Sequence, residues 1–170
     1  MNLIGEKTLV MSQTKKLHKV YLGLGSNLGD KVENIMSAVK QIQIRIGQVV
    51  ALSPLYETLP EGFDSDNTFV NAACMVQTEL LPEEVLECTQ VIERELGRRS
   101  KSINEIYSDR SIDIDILLYD NLIVELPHLI IPHKHLHERK FAMQPLADIA
   151  PDIIHPTMGK TISILNEELQ

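Results

Sequence analysis

The chain of 170 residues has no tryptophan, three phenylalanines and four tyrosines. Its core must therefore be aliphatic, and any ring that stacks on a ligand comes from a very short roster. Long apolar runs are missing too, and nothing approaches the ~20 residues of a membrane-spanning helix. Residues 1–17 lack the apolar core and small-residue cleavage site of a signal peptide and read as a loosely held tail, which leaves 18–170 as one domain. The two cysteines, Cys74 and Cys88, have no metal-type spacing. That excludes a disulfide scaffold and fits reduced thiols in a cytoplasmic protein. Positive charge is scarce, with 16 Lys and Arg against 24 Asp and Glu and a net charge of −8. Such a balance argues against nucleic acid or an anionic membrane as partner.

One shortage is local. Residues 46–93 carry nine Asp or Glu and no Lys or Arg, and five of the six arginines (Arg94, Arg98, Arg99, Arg110, Arg139) then fall between 94 and 139. They surround "RSIDIDILLYD" (110–120), where two carboxylates interrupt an apolar run. On a strand Asp113 and Asp115 share one face, about 6–7 Å apart at the backbone, while Ile112, Ile114 and Ile116 point the other way. Unpaired, the two would repel; with arginines nearby they suit a small polyanion held with a metal ion. An amphipathic strand with a wet face is the ordinary alternative.

"KVYLGLGS" (19–26) reads as a buried strand, followed by Val32, Ile35, Val39, Ile42 and Ile46 at helical spacing. "QVVALSPLYET" (48–58) and "FVNAACMVQTE" (69–79) are β-rich runs around a polar loop. "PEEVLECTQVIERELG" (82–97) has the marks of a helix: Pro at its start, acids in the first turn, a stripe of Leu81, Val85, Ile92 and Leu96, and Gly97 as a stop. Segment 98–110 is a charged loop, and two short helices are expected near 138–149 and 161–168. The order is β-α-β-β-α-β plus an appendage, which predicts an α+β, ferredoxin-like core with a mostly antiparallel sheet and helices packed on it. The D-x-D strand is expected beside the first strand, in the middle of the sheet.

"GLGSNLGDK" (23–31) misses both the dinucleotide and the P-loop spacings and reads as a tight strand-to-helix turn capped by Asn27 or Asp30. Gly-Ser followed by D-x-D also admits a polymerase-β-type nucleotidyltransferase, although Ser26 and Asp113 lie far apart. The histidines of "PHKHLH" (132–137) lack a fourth zinc ligand and are better placed to donate to phosphate, beside Lys134 and Arg139. A non-catalytic ferredoxin-like binding module is the remaining alternative.

"GLGSNLGDK", "SPLYET", "FVNAA", "TQVIERELGR", "RSIDIDILLYD" and "IPHKHLHERKFAMQPLADIAP", in this order, resemble the 6-hydroxymethyl-7,8-dihydropterin pyrophosphokinases of folate biosynthesis from about Val20 onward. The resemblance implies an α/β/α sandwich on the ferredoxin-like core. It implies transfer of diphosphate from ATP to the pterin's hydroxymethyl group with release of AMP. Asp113 and Asp115 match the ligands of two Mg²⁺ ions. Gln90, Arg98, Lys101, Tyr107, Arg110, Ile116, His133 and Arg139 match ATP-contacting positions. Thr58, Phe69, Asn71 and Phe141 match the pterin site, with the two rings sandwiching the pterin. Arg98, Arg110 and Asp115 take the catalytic roles, Asp115 as acceptor of the alcohol's proton, and Glu93 is implied to orient an arginine. Loop 98–110 matches a lid that closes over ATP. Ser100, Leu59 and Lys134 depart from the family's commoner residues. The implied partners are ATP and the pterin alone, acting on a monomer, with neither nucleic acid nor membrane.

Overall fold

The computed structural model describes residues 16–60, 66–97 and 111–169. Strand β1 (His18–Ser26) leads into helix α1 (Lys31–Arg45), then β2 (Gln48–Leu52), β3 (Tyr56–Thr58), β4 (Phe69–Thr78), α2 (Pro82–Glu95) and β5 (Asp113–Tyr119). A hairpin of β6 (Val124–Leu126) and β7 (Leu129–Ile131) follows, then a 3₁₀ turn at Leu136–Glu138, α3 (Lys140–Ile149) and α4 (Ile162–Glu168). The main sheet is antiparallel with order β2-β4-β1-β5, and β3 pairs with β4 beyond the end of β2. This is the predicted α+β plan.

The helices form where the sequence places their caps. Asp30 caps α1 by accepting the Glu33 N–H at 3.1 Å, and Glu84 accepts the Leu81 N–H at 2.9 Å ahead of α2. Gly97 sits at φ +113 just past α2, a conformation that a Cβ would strain. Ile35, Ala38 and Ile42 of α1, with Val85 and Ile92 of α2, cover one face of the sheet against Leu22, Leu24, Ile114 and Ile116. Met143 and Leu146 of α3, with Ile162 and Leu165 of α4, cover the other against Tyr21, Ala73 and Leu117. Two residues of the expected stripes lie outside this core. Val32 is half exposed in the first turn of α1, and Leu81 precedes α2 and is largely exposed.

Two further expectations are corrected. The run 48–58 is two strands, because Ser53 turns inward and Pro54 has no N–H for a ladder. Ser53 Oγ donates to the Pro54 carbonyl at 2.9 Å and accepts the Ala73 N–H at the same distance. The D-x-D strand β5 does lie beside β1 but stands at the sheet edge among the described residues, not in the middle. Its outer edge is covered by other means: the Leu117 carbonyl accepts the His133 N–H at 3.0 Å, and Glu93 of α2 accepts the Ile114 N–H at 3.0 Å. Both leave buried edge groups satisfied.

Candidate active site

Cross-strand register brings the distant sequence segments into rows. Asn71 of β4 pairs with Gly25 of β1, and Gly25 pairs in turn with Asp113 of β5. One row further along, Ala73, Gly23 and Asp115 line up in the same way. Tyr56 of β3 extends the first row beyond Asn71, and Thr58 pairs with Phe69. Paired residues share a face, so the two aspartates, Asn71, Phe69, Thr58 and Tyr56 all lie on the side that α3 covers. Asn71 and Asp113 stand two strand spacings apart, about 10 Å at the backbone. Between them the central strand contributes only a glycine.

That glycine leaves little room for a side chain. A Cβ on Gly25 would lie 3.2 Å from Asn71 Oδ1 and 3.7 Å from a ring carbon of Phe69. The Asn71 amide is oriented from its other end, where Nδ2 donates to Thr58 Oγ1 at 2.6 Å. Thr58 keeps its own hydroxyl hydrogen, and Asn71 keeps its carbonyl oxygen and one amide hydrogen. Phe69 is held from the preceding residue: Lys31 Nζ reaches Thr68 Oγ1 at 3.0 Å, and Thr68 Oγ1 donates to Glu57 Oε1 at 2.7 Å. In the sequence Gly25 and Lys31 read only as parts of "GLGSNLGDK", with no site role of their own. Glycines two apart on a strand are the only signal for the first, and the second needs the fold.

Asp113 and Asp115 are half-buried at the start of β5. Their oxygens are hard donors on one face of a strand packed from behind by Ile112, Ile114 and Ile116. This donor set fits Mg²⁺, which takes one or two carboxylates and completes its octahedron with phosphate and water. No cluster of three or more His, Cys, Asp or Glu suited to a metal occurs among the described residues.

The segment after β7 brings His133 and Arg139 to the same end. His133 is anchored to β5 through its own N–H on the Leu117 carbonyl. Its Nδ1 accepts the His135 N–H at 3.3 Å. Burial, then the Arg139 and His135 charges, holds the ring below the usual histidine range, with Asp113 opposing. The neutral ring thus carries its proton on Nε2, a donor suited to a phosphoryl oxygen. Arg139 lies with its guanidinium carbon 5.7 Å from the centre of the Phe141 ring, an arrangement that fixes both. Of the other histidines, His135 pairs with Glu138 at 3.1 Å, and His137 packs edge-on against His155.

The structure therefore brings together Thr58, Phe69, Asn71, Asp113, Asp115, His133, Arg139 and Phe141. Ile116 belongs to the core on the opposite face, so any contact with a nucleotide must use its main chain. Gln90 is exposed on α2. Glu93, only 7% exposed, holds a main-chain amide of β5 with one carboxylate oxygen. Arg98, Lys101, Tyr107 and Arg110, with the expected lid 98–110 and nearly all of the tail 1–17, lie outside the described residues. "GLGSNLGDK" behaves as a built turn: Asn34 Nδ2 donates to the Leu28 carbonyl at 2.8 Å and to Ser26 Oγ at 3.2 Å.

The family of 7,8-dihydro-6-hydroxymethylpterin-pyrophosphokinases (HPPK) matches residues 21–151. A 2-amino-4-hydroxy-6-hydroxymethyldihydropteridine pyrophosphokinase of Porphyromonas gingivalis is 47% identical over 81% of this chain and 93% of its own length. One from Aquifex aeolicus is 36% identical over 88% and 91%. The folic acid synthesis protein fol1 of Pneumocystis carinii is 42% identical over 88% of this chain, which spans only 20% of that longer protein. Among solved structures, a Plasmodium falciparum HPPK-DHPS triple mutant superposes with a TM-score of 0.73 at 19% identity, covering 94% of this chain and 46% of that one; it speaks for the fold. On the family match and the bacterial relatives together, the chain belongs to the 7,8-dihydro-6-hydroxymethylpterin-pyrophosphokinase family.

Proposed function

We propose that the α3-covered face of the sheet is where this chain moves a diphosphate from ATP to the hydroxymethyl oxygen of 6-hydroxymethyl-7,8-dihydropterin, releasing AMP. The activity is that of its family, pyrophosphoryl transfer in folate biosynthesis. The observation that carries the site is the row Asn71–Gly25–Asp113. It sets a polar amide for a pterin edge at one end and a carboxylate for a metal–phosphate complex at the other, with a side-chain-free floor between.

In this reading Asn71 and Thr58 read the pterin, and Phe69 and Phe141 stack on its two faces. Asp113 and Asp115 would hold two Mg²⁺ ions, with ATP's phosphates as further ligands. When bound, the ions offset the negative charge that develops on the phosphoryl oxygens. His133 donates Nε2–H to a phosphoryl oxygen, and Arg139 adds a fixed positive charge. Gln90 and the Ile116 main chain contact the nucleotide. Arg98, Lys101, Tyr107 and Arg110 close over it and exclude water, and Arg98 and Arg110 stabilise the transferring group. The alcohol oxygen attacks the β-phosphorus in line, the bond to the α-phosphate's bridging oxygen breaks, and AMP carries that oxygen away. The proton passes to Asp115. Such catalysis is chiefly positioning and electrostatics. The reading includes one domain over 18–170 acting as a monomer in the cytoplasm, which the two free thiols favour. Among the described residues no helix is long and apolar enough to cross a membrane.

Product analysis tests the reading. Pterin-dependent formation of AMP with a pyrophosphorylated pterin is expected. Pyrophosphate release with transfer of AMP would point to the nucleotidyltransferase alternative, and no pterin-dependent turnover would point to the binding module.

A further inference from the structure

Helix α3 crosses the site face from the β5 side to the β3 side. Its N-terminal end carries Arg139 and Phe141 and follows His133, which is bonded to β5. Its last full turn carries Asp148, whose Oδ2 accepts the Tyr56 hydroxyl of β3. Tyr56 is the row partner of Asn71, so this contact is made on the strand that also presents Thr58. The carboxylate is held on its other side as well. Gln144 Nε2 donates to Asp148 Oδ1 at 3.3 Å, and Asn166 Nδ2 of α4 donates to Gln144 Oε1 at 3.2 Å. The short strand β3 has few other means of fixing its position, since it pairs with β4 alone among the described residues.

We propose that Tyr56 and Asp148 are positioning residues that strap α3 to β3 and so set the gap between Phe141 above and Phe69, Asn71 and Thr58 below. The inference rests on the reading of that gap as the pterin slot. Phe141 lies seven residues before Asp148, two helical turns along the same side of α3. A helix fixed at both ends keeps the height of a side chain near one of them; a helix released at Asp148 can tilt away from the sheet. The contact is at the surface, so its contribution to stability is small. Its effect falls on the geometry of the slot. Hydrogen bonding to Asp148, then burial, raises the Tyr56 hydroxyl above the usual tyrosine range, so the donor stays protonated throughout the working range.

The test is steady-state kinetics and pterin binding, followed by fluorescence with a non-hydrolysable ATP analogue and Mg²⁺, on Tyr56→Phe, Asp148→Ala, the double variant, Asp148→Asn and Asn71→Ala. Loss of one hydrogen bond corresponds to roughly a three- to tenfold rise in pterin KM in each of the first two. ATP KM and kcat should stay within about twofold, as expected for lost ground-state positioning. The double variant should be no worse than either single, and Asp148→Asn, which keeps an acceptor oxygen, should recover part of the loss. Unchanged pterin KM in Tyr56→Phe, single effects that multiply in the double variant, or an equal rise in ATP KM would each overturn the strap. Asn71→Ala separates the two levels. If it leaves pterin binding intact, the slot itself is misassigned; if it loses pterin while Tyr56→Phe is silent, only the strap fails.

Discussion

Glu93 Oε2 accepts the main-chain N–H of Ile114 at 3.0 Å, and Ile114 lies between the two aspartates of β5. An edge strand leaves alternate amides without a ladder partner, and a buried one is costly unless another group accepts it. Glu93 thus ties the end of α2 to the strand segment that aims Asp113 and Asp115. Replacing it with leucine strands the amide and should cost about 1–3 kcal/mol in denaturant unfolding. Glutamine keeps an acceptor and should cost less. Hydrogen exchange at Ile114 should quicken in Glu93→Leu and weaker Mn²⁺ binding should accompany it. Equal exchange rates in the two variants would refute the assignment.

Gly25→Ala tests the bare floor between Asn71 and Asp113. The new methyl meets Asn71 Oδ1 at 3.2 Å, and that amide is already held by Thr58 on its other end. The amide or the strand must give by a few tenths of an ångström. Catalytic positioning is sensitive to such shifts, so kcat/KM for the pterin should fall by about ten- to a hundredfold. Nucleotide binding measured without pterin should change little. A variant with intact pterin kinetics would show that the floor tolerates a side chain.

Removing one carboxylate of the pair should abolish the response to divalent cation. Asp115→Ala is expected to lower turnover at least about a hundredfold at saturating ATP and Mg²⁺. Its circular dichroism should match the parent, because the Ile112, Ile114 and Ile116 side chains that seat β5 are untouched. A chelator should silence the parent enzyme to a similar extent, with recovery on adding Mg²⁺. Normal activity in the variant would remove Asp115 from the metal site.

What could be read in the sequence was whatever a local period or a local cap dictates. Ile35 and Ile42, Val85 and Ile92, Asp30 and Gly97 all announce their helices within a turn or two. The alternation of Asp113 and Asp115 with isoleucines likewise fixes which face the carboxylates share. The break at Ser53 escaped because Val50 and Leu52 continue the same alternation on either reading. So did the β6–β7 hairpin, whose strands are too short to show a period. The edge position of β5 and the role of Glu93 depend on which elements meet across tens of residues. Pattern within a segment carries no information about that. Gly25 is the instructive case: read as a strand residue leading into a turn, it has a packing role that no local pattern shows, since its missing side chain makes room for an amide from the neighbouring strand.

His155 gives the structure an acid-sensitive point, its ring edge-on to that of His137. It is 2% exposed, and its Nδ1 accepts the Thr157 and Met158 N–H groups at 3.3 and 3.2 Å. The ring is therefore neutral with its proton on Nε2, a buried donor that finds no acceptor among the described residues. Protonating Nδ1 would set a donor against these two donors and leave the Thr157 hydroxyl, at 3.1 Å, to accept it. Burial, then the charge of His137, lowers the pKa of His155 from the ordinary value. Since the unfolded chain titrates near pH ~6.5 and the folded chain below that, the unfolded state binds more protons in the interval between. Stability is full above pH ~6.5 and declines as the pH falls toward the folded value, by at most about 1.4 kcal/mol per pH unit for one proton. His133, lowered in the same direction by burial, adds to the slope. Asparagine at 155 keeps an acceptor oxygen for the two amides without titrating, so His155→Asn should be less stable at pH 7.5 but flatter between pH 7 and 5. Urea titrations of the two proteins across that range measure the difference, and parallel slopes would show that His155 binds no extra proton on unfolding.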